Sequence, residues 1–233
     1  MLPDGISAIL FDKDGTLFDF AASWSGWADG VLDELSAGQA GRKAALADAM
    51  GFDLHRGGFD PSSPVIAGTL DEAAELLLPH LPDMQTQALI TLLLERSIEA
   101  EMVAPVPLAP FLDGLLARGL VLGVATNDGQ APARAHLDRA GVRNRFAHVL
   151  GYDSGYIPKP APDMLLGFAS LAGLAPNAVV MVGDSTHDLI AGRAAGMPTV
   201  GVLTGLAGHD DLAPHADVVV PHIGHLNELL ALS

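Results

Sequence analysis

Two rhythms of apolar and polar positions run along this chain. Short, mostly apolar, β-rich runs at 6–11, 120–125, 178–182, 199–202 and 217–220 have the length and composition of buried strands. Between them lie stretches with helical periodicity, at 132–140 closed by Gly141, 162–172 closed by Gly173, and 189–195 closed by Gly196. A glycine just past the last periodic residue is a common helix stop, because it accepts the left-handed conformation without a Cβ clash. Strand and helix in alternation predict an α/β fold: a parallel sheet covered by helices on both faces.

Residues 18–104 break the alternation. They contain no convincing strand and read as several amphipathic helices, with a Gly/Pro-rich loop over 57–68. Thr69 followed by Glu72 has capping-box spacing, which predicts a helix from there to Leu78. Pro105, Pro107 and Pro110 then punctuate the chain where it returns to the sheet. The expected organisation is an α/β core from 1–17 and 105–233, with a helical insertion over 18–104.

Composition narrows the field. The chain has 233 residues, is 49% hydrophobic, and has a mean hydropathy of +0.34, ample for a packed core. Apolar runs such as Leu76-Leu77-Leu78 are cut by proline or charge, so no membrane span is expected. The start Met1-Leu2-Pro3-Asp4 lacks the basic head and apolar middle of a secretory signal, and a cytoplasmic location is expected. With no cysteine there are no disulfides, thiolate metal sites or thiol nucleophiles. The net charge of −16 disfavours nucleic acid and anionic membranes as partners. It would also repel a phosphorylated metabolite, so a phosphate site must be made positive locally, by a metal, a lysine or helix N-termini.

Four segments carry candidate chemistry, each at the end of an expected strand or in a connecting loop. Asp12 and Asp14 follow the first strand, in Asp12-Lys13-Asp14-Gly15-Thr16, and ligands of parallel sheets bind at the carboxyl ends of strands. Their i, i+2 spacing lets both carboxylates face one site, although Asp-Gly turns with solvated carboxylates are also common. Thr126-Asn127 follows the second core strand, where a hydroxyl and a backbone N–H can hold phosphoryl oxygens. Lys159 is flanked by Pro158 and Pro160, a rigid setting for a point charge aimed at an anion, although a solvated loop lysine is the commoner case. Asp184 and Asp188 stand four apart at a helix start, in Gly183-Asp184-Ser185-Thr186-His187-Asp188. Their hard oxygens suit magnesium rather than zinc.

In this order, these segments resemble the haloacid dehalogenase-like hydrolase superfamily, most strongly over 6–17 and 120–201. The segments Lys159-Pro160-Ala161-Pro162-Asp163 and Gly183 to Asp188 are similar to its phosphoglycolate phosphatase branch. The resemblance implies a Rossmann-like core with a small helical cap made by 18–104. It also implies a Mg2+-dependent phosphomonoester hydrolase acting on a small phosphorylated metabolite. On that resemblance Asp12 is the nucleophile, and Asp14 the general acid and then base. Mg2+ is held by Asp12, the Asp14 carbonyl and Asp184. Thr126 and Asn127 grip the phosphoryl group, Lys159 neutralises it and orients Asp12, and Asp188 supports Lys159 or a metal-bound water.

The second acid, Asp14, separates this chain from relatives that cleave carbon–halogen or carbon–phosphorus bonds. A sugar phosphomutase is the nearest alternative, but 18–40 contains no Lys, Arg or His. A phosphate-responsive binding protein with a vestigial site is the alternative of another class. Specificity is expected from the cap, with contacts to a carboxylate or sugar sought in the 57–68 loop and Arg56, although an exposed loop without such contacts is the more common case. Trp24 and Trp27 are expected to pack the cap's own core. His187 receives no role, and His209, His215, His222 and His225 lack ligand spacing and are expected on the surface. Monomer and homodimer are both left open.

Overall fold

The first strand, β1 (Ala8–Phe11), is buried along its whole length because both of its faces are covered. Ala8 and Leu10 point into one apolar cluster, while Ile9 and Phe11 point into the other. This is the period-2 geometry of a strand at the centre of a covered sheet. The structure, a computed structural model, describes residues 2–66 and 68–231.

After β1 the chain leaves the sheet. It forms α1 (Phe20–Ser36), α2 (Ala40–Met50), a hairpin of β2 (Phe52–Asp53) and β3 (Gly58–Phe59), α3 (Leu70–Leu77) and α4 (Thr86–Glu99). Asp19 caps α1 by accepting the Ala22 N–H at 2.9 Å. Thr69 and Glu72 close the expected capping box on α3. These elements surround their own apolar cluster, including Leu32, Leu46, Met50, Leu77 and Leu89, each fully buried. The hairpin corrects the expectation of a strand-free insertion: two residues per strand are too few to show a periodicity.

The chain returns through α5 (Leu108–Leu116) to β4 (Val121–Ala125), α6 (Gln130–Arg139) and β5 (His148–Leu150). Then follow α7 (Asp163–Ala172), β6 (Val179–Gly183), α8 (Thr186–Ala195), β7 (Thr199–Val202), α9 (His209–Leu212), β8 (Val218–Val220) and α10 (Leu226–Ala231). The sheet is parallel with strand order β5-β4-β1-β6-β7-β8. The order reverses at β1, where successive crossovers leave to opposite sides and a crevice opens beyond the strand ends. Gly123 of β4 lies directly under the ring of Phe168, where a Cβ would come within 2.2 Å of a ring carbon.

Two chain passages join the insertion to the sheet, and they are bonded to each other. Asp19 N–H donates to the Val103 carbonyl at 2.8 Å, and Val103 N–H donates to Ser23 Oγ at 3.0 Å. From the sheet side, Arg139 of α6 donates to the carbonyls of Ala100 and Ile98, each at 2.9 Å, and His136 Nε2 lies 2.7 Å from the Ser97 carbonyl. Carbonyls at the C-terminal end of α4 are thus bonded by a helix of the sheet layer.

Candidate active site

β1 delivers Asp12, Lys13 and Asp14 into a turn closed on itself. The Lys13 carbonyl accepts the N–H groups of Leu17 and Phe18 at 3.0 and 3.1 Å, and Gly15 N–H donates to Phe18 O at 2.7 Å. Gly15 has φ +81°, and a Cβ there would come within 2.2 Å of Asp184 Oδ2. Both the backbone conformation and the neighbouring carboxylate therefore require glycine.

The other segments arrive from neighbouring strand ends. Thr126 and Asn127 follow β4, Asp184 follows β6, and Asp188 lies in the first turn of α8. Lys159 comes from the connection between β5 and α7. Its Nζ donates to Asp12 Oδ1 and Asp188 Oδ1, at 2.6 Å each. The Asn127 side chain clamps the Lys159 main chain, donating to its carbonyl and accepting its N–H, both at 2.9 Å. Thr126 Oγ1 accepts the Asp128 N–H at 3.0 Å. Asp188 Oδ2 accepts from Ser185 N–H at 3.0 Å and Ser185 Oγ at 2.7 Å, so this residue closes the α8 capping box while holding Lys159. Asp184 Oδ1 accepts from Thr16 Oγ1 at 3.3 Å. All seven residues singled out in the sequence line one pocket.

Its floor is crowded with negative charge. Burial pushes Asp12 up to about 7; Lys159 opposes this, and Asp188 and Asp14 add to it. Burial, with Asp12 and Asp188, also raises Asp184. Oxygens of Asp12, Asp184 and Asp188 lie within 4.8 Å of one another, the one grouping of three or more potential metal-ligating side chains among the described residues. Three buried carboxylates against one lysine form a hard, oxygen-only, anionic donor set, which fits a small divalent cation.

A second buried lysine was not anticipated from the sequence. Lys13 is fully buried, with Nζ at 2.8 Å from Asp14 Oδ1, 3.0 Å from Asp128 Oδ2 and 3.0 Å from His136 Nδ1. Burial works against its charge, but Asp14 and Asp128 outweigh that and raise its pKa. The Asp128 contact is an ion pair out of hydrogen-bond alignment, leaving Oδ2 without a hydrogen-bond partner. Asp14 Oδ1 also accepts from Trp24 Nε1 at 2.8 Å, which ties α1 to the turn after β1. Trp24 thus both packs the insertion, as expected, and reaches the site. Trp27, edge-on to it at 5.1 Å, lines the pocket too.

His136 between Lys13 and Ser97 is held neutral. Burial, with Lys13, lowers its pKa from 6.5 to about 4, against the pull of Asp14. The unfolded chain therefore takes up a proton at this residue below about pH 6.5 that the folded chain refuses until about pH 4. Its contribution to stability is present above pH 6.5 and is lost as pH falls through that window, on the order of 3 kcal/mol. Gln at 136 offers a donor and an acceptor without titrating. Chemical denaturation at several pH values between 7 and 4.5 is expected to show wild type losing stability relative to His136→Gln. Parallel curves for the two proteins would contradict a neutral buried His136.

The other residues named from the sequence lie as follows. Arg56 is not among the pocket's lining residues and donates to the Phe59 carbonyl at 3.2 Å; the 57–68 loop brings Phe59, Val65, Ile66 and Gly68 to this pocket, and Ser62 and Ser63 to an adjoining one that shares Lys159, Asp184 and His187. His187, left without a role, lines the pocket. His209 is exposed, as expected; His222 and His225 lie tilted against each other with ring centroids 4.4 Å apart, and neither these nor His215 belong to the acidic cluster.

Comparison with known proteins agrees with this geometry. The chain is 32% identical over 222 residues to a phosphoglycolate phosphatase of Xylella fastidiosa (strain 9a5c), covering 92% of this chain and 90% of the relative. It is 31% identical over 217 residues to the probable phosphatase IndB of Dickeya dadantii (strain 3937), covering 78% and 94%. Among solved structures, CbbY of Rhodobacter sphaeroides in complex with phosphate superposes with a TM-score of 0.70 at 21% identity, covering 95% of this chain and 96% of that one. At that identity the likeness establishes the fold. The haloacid dehalogenase-like hydrolase family matches residues 6–196, and with these relatives it places this chain in that family.

Proposed function

We propose that this chain is a Mg2+-dependent phosphomonoester hydrolase of small phosphorylated metabolites, working through an aspartyl-phosphate on Asp12. The observation that carries the reading is Lys159, bridging Asp12 and Asp188 at 2.6 Å beside Asp184. A lysine so placed orients one carboxylate oxygen and leaves positive charge where a phosphoryl group would otherwise meet only anions.

Asp12 attacks phosphorus and the ester P–O bond breaks. Asp14, on the pocket wall between Lys13 and Trp24, gives its proton to the leaving alkoxide. Water then attacks the aspartyl-phosphate, Asp14 takes its proton, and phosphate leaves with Asp12 restored. Thr126 and the Asn127 main chain hold the phosphoryl oxygens, and Asn127 fixes Lys159. Asp12, the Asp14 carbonyl and Asp184 would hold Mg2+, with Asp188 steering Lys159. When bound, the ion supplies charge neutralisation for the carboxylate–phosphate encounter. In this reading residues 18–104 form a cap over a core of 1–17 and 105–233.

Hydrolysis is favoured over phosphoryl transfer between sugar positions. A mutase must grip a second phosphate, and no Lys or Arg of the 18–104 segment lines the pocket among the described residues. Phosphate release from p-nitrophenyl phosphate is expected to need Mg2+, to stop on chelation and to return on readdition. Tight phosphate binding without turnover would instead identify a binding protein, and isomerised sugar phosphate without phosphate release would identify a mutase.

A further inference from the structure

A line of buried polar contacts runs from the insertion to Asp14. His136 of α6 has Nδ1 3.0 Å from Lys13 Nζ and Nε2 2.7 Å from the Ser97 carbonyl. An ammonium only donates and a carbonyl only accepts, so the imidazole accepts at Nδ1 and carries its proton on Nε2. Lys13 Nζ in turn donates to Asp14 Oδ1 at 2.8 Å. Ser97, His136 and Lys13 are at most 1% exposed, so no water competes for these bonds. Trp24 closes over the line, edge-on to His136 at 6.1 Å and with its ring 5.3 Å from Lys13 Nζ.

The ammonium has a second carboxylate within reach. Asp128 Oδ2 lies 3.0 Å from Nζ, as near as His136 Nδ1, yet it has no hydrogen-bond partner. The protons of Lys13 are thus directed at Asp14 and His136. A buried carboxylate oxygen without a donor is costly, so Lys13 would turn to Asp128 if the acceptor at His136 were lost. On Asp14, both donors fall on Oδ1: Lys13 Nζ and Trp24 Nε1, at 2.8 Å each. They fill its two lone pairs, which leaves Oδ2 as the oxygen for a transferable proton. One ammonium between two carboxylates also leaves the group one proton short of neutrality, so Asp14 can hold a proton beside Lys13.

We propose that His136 is a positioning residue for the acid step: by accepting from Lys13 it keeps the ammonium on Asp14 Oδ1 and off Asp128, so that Oδ2 presents the proton. The inference rests on the hydrolase reading above. In that reading the ester P–O bond breaks as Asp12 attacks, the electron pair goes to the leaving oxygen, and that oxygen takes the proton from Asp14 Oδ2. His136 touches no reacting atom and acts through Lys13.

The test is a Brønsted comparison on ring-substituted phenyl phosphates in Mg2+, plotting kcat/KM against the acidity of the departing phenol. These esters differ little in size and much in how far the leaving oxygen needs a proton. Wild type is expected to give a shallow slope. His136→Leu is expected to steepen it, lowering phenyl phosphate relative to p-nitrophenyl phosphate about tenfold, part of the ~100- to 10,000-fold that a positioned acid supplies. In His136→Asn the side-chain oxygen stands where Nδ1 stood, accepts from Lys13 and does not reach Ser97, so the shallow slope is expected to return. Lys13→Met removes the ammonium and is expected to steepen the slope alike, which supplies the test if the leucine variant does not fold. On the unaltered protein, imidazole nitrogen NMR shifts are expected to show His136 with its proton on Nε2. A line that keeps its slope in folded His136→Leu or Lys13→Met, whether lowered or not, overturns the inference and leaves hydrolysis standing. So does a steep slope retained in His136→Asn, or a proton found on Nδ1. If no ester is turned over in Mg2+, the hydrolase reading falls and takes the inference with it.

Discussion

Asp12→Asn is expected to lower kcat for phosphate release by about 10,000-fold or more, the scale seen when a catalytic nucleophile is removed. Asn keeps the shape of the side chain and cannot form the acyl-phosphate. The fold should survive, because Lys159 retains Asp188 at 2.6 Å and the cluster loses one of three mutually repelling carboxylates. The melting temperature is therefore expected to stay level or rise, since the charge removed is one that burial already disfavours. Phosphate release and a thermal melt on the same preparation check both halves. Near-normal turnover in a folded variant would end the covalent route. An unfolded variant would mean that Asp12 is needed to satisfy Lys159.

A second large loss is expected from a residue that carries no chemistry. Gly205 lies against Asp184, and a Cβ at this position would stand 1.8 Å from Oδ2. Unlike Gly15, it does not occupy the left-handed region, so alanine meets no backbone strain there and the effect isolates the contact. Gly205→Ala must displace the Asp184 carboxylate, and misplacing a catalytic group by about 1 Å costs on the order of 100-fold in rate. The Mg2+ concentration for half-maximal activity is expected to rise in parallel. Unchanged kcat and unchanged Mg2+ dependence in the Gly205→Ala variant would show that Asp184 does not hold the ion. The neighbouring Thr204, which donates to the Gly15 carbonyl at 2.6 Å, shows how closely this loop is fitted to the turn after β1.

The elements legible in advance were those with local causes. β1, β4, β6, β7 and β8 fall within a residue or two of their apolar runs, and α7 and α8 end at Gly173 and Gly196 in the left-handed conformation as the glycines foretold. The elements missed have too little local signal. β5 has three residues, the β2–β3 hairpin has two per strand, and α5 begins amid prolines that argue for a break. Each exists because a neighbour pairs or packs with it. β5 pairs with β4, and Phe111, Leu112 and Leu115 of α5 are buried in the sheet's core.

By itself, the sequence determined a covered parallel sheet and which residues stand at its carboxyl-terminal ends, because strand periodicity and the direction of a parallel sheet are local properties. That sufficed to bring Asp12, Asp14, Thr126, Asn127, Lys159, Asp184 and Asp188 to one pocket. Only the tertiary structure decided what surrounds them. Lys13 meets His136 across 123 positions, Thr204 meets Gly15 across 189, and Trp24 closes on Asp14 only once α1 has folded over the turn. No pattern along the chain marks such partners. They are selected by the space left between packed elements.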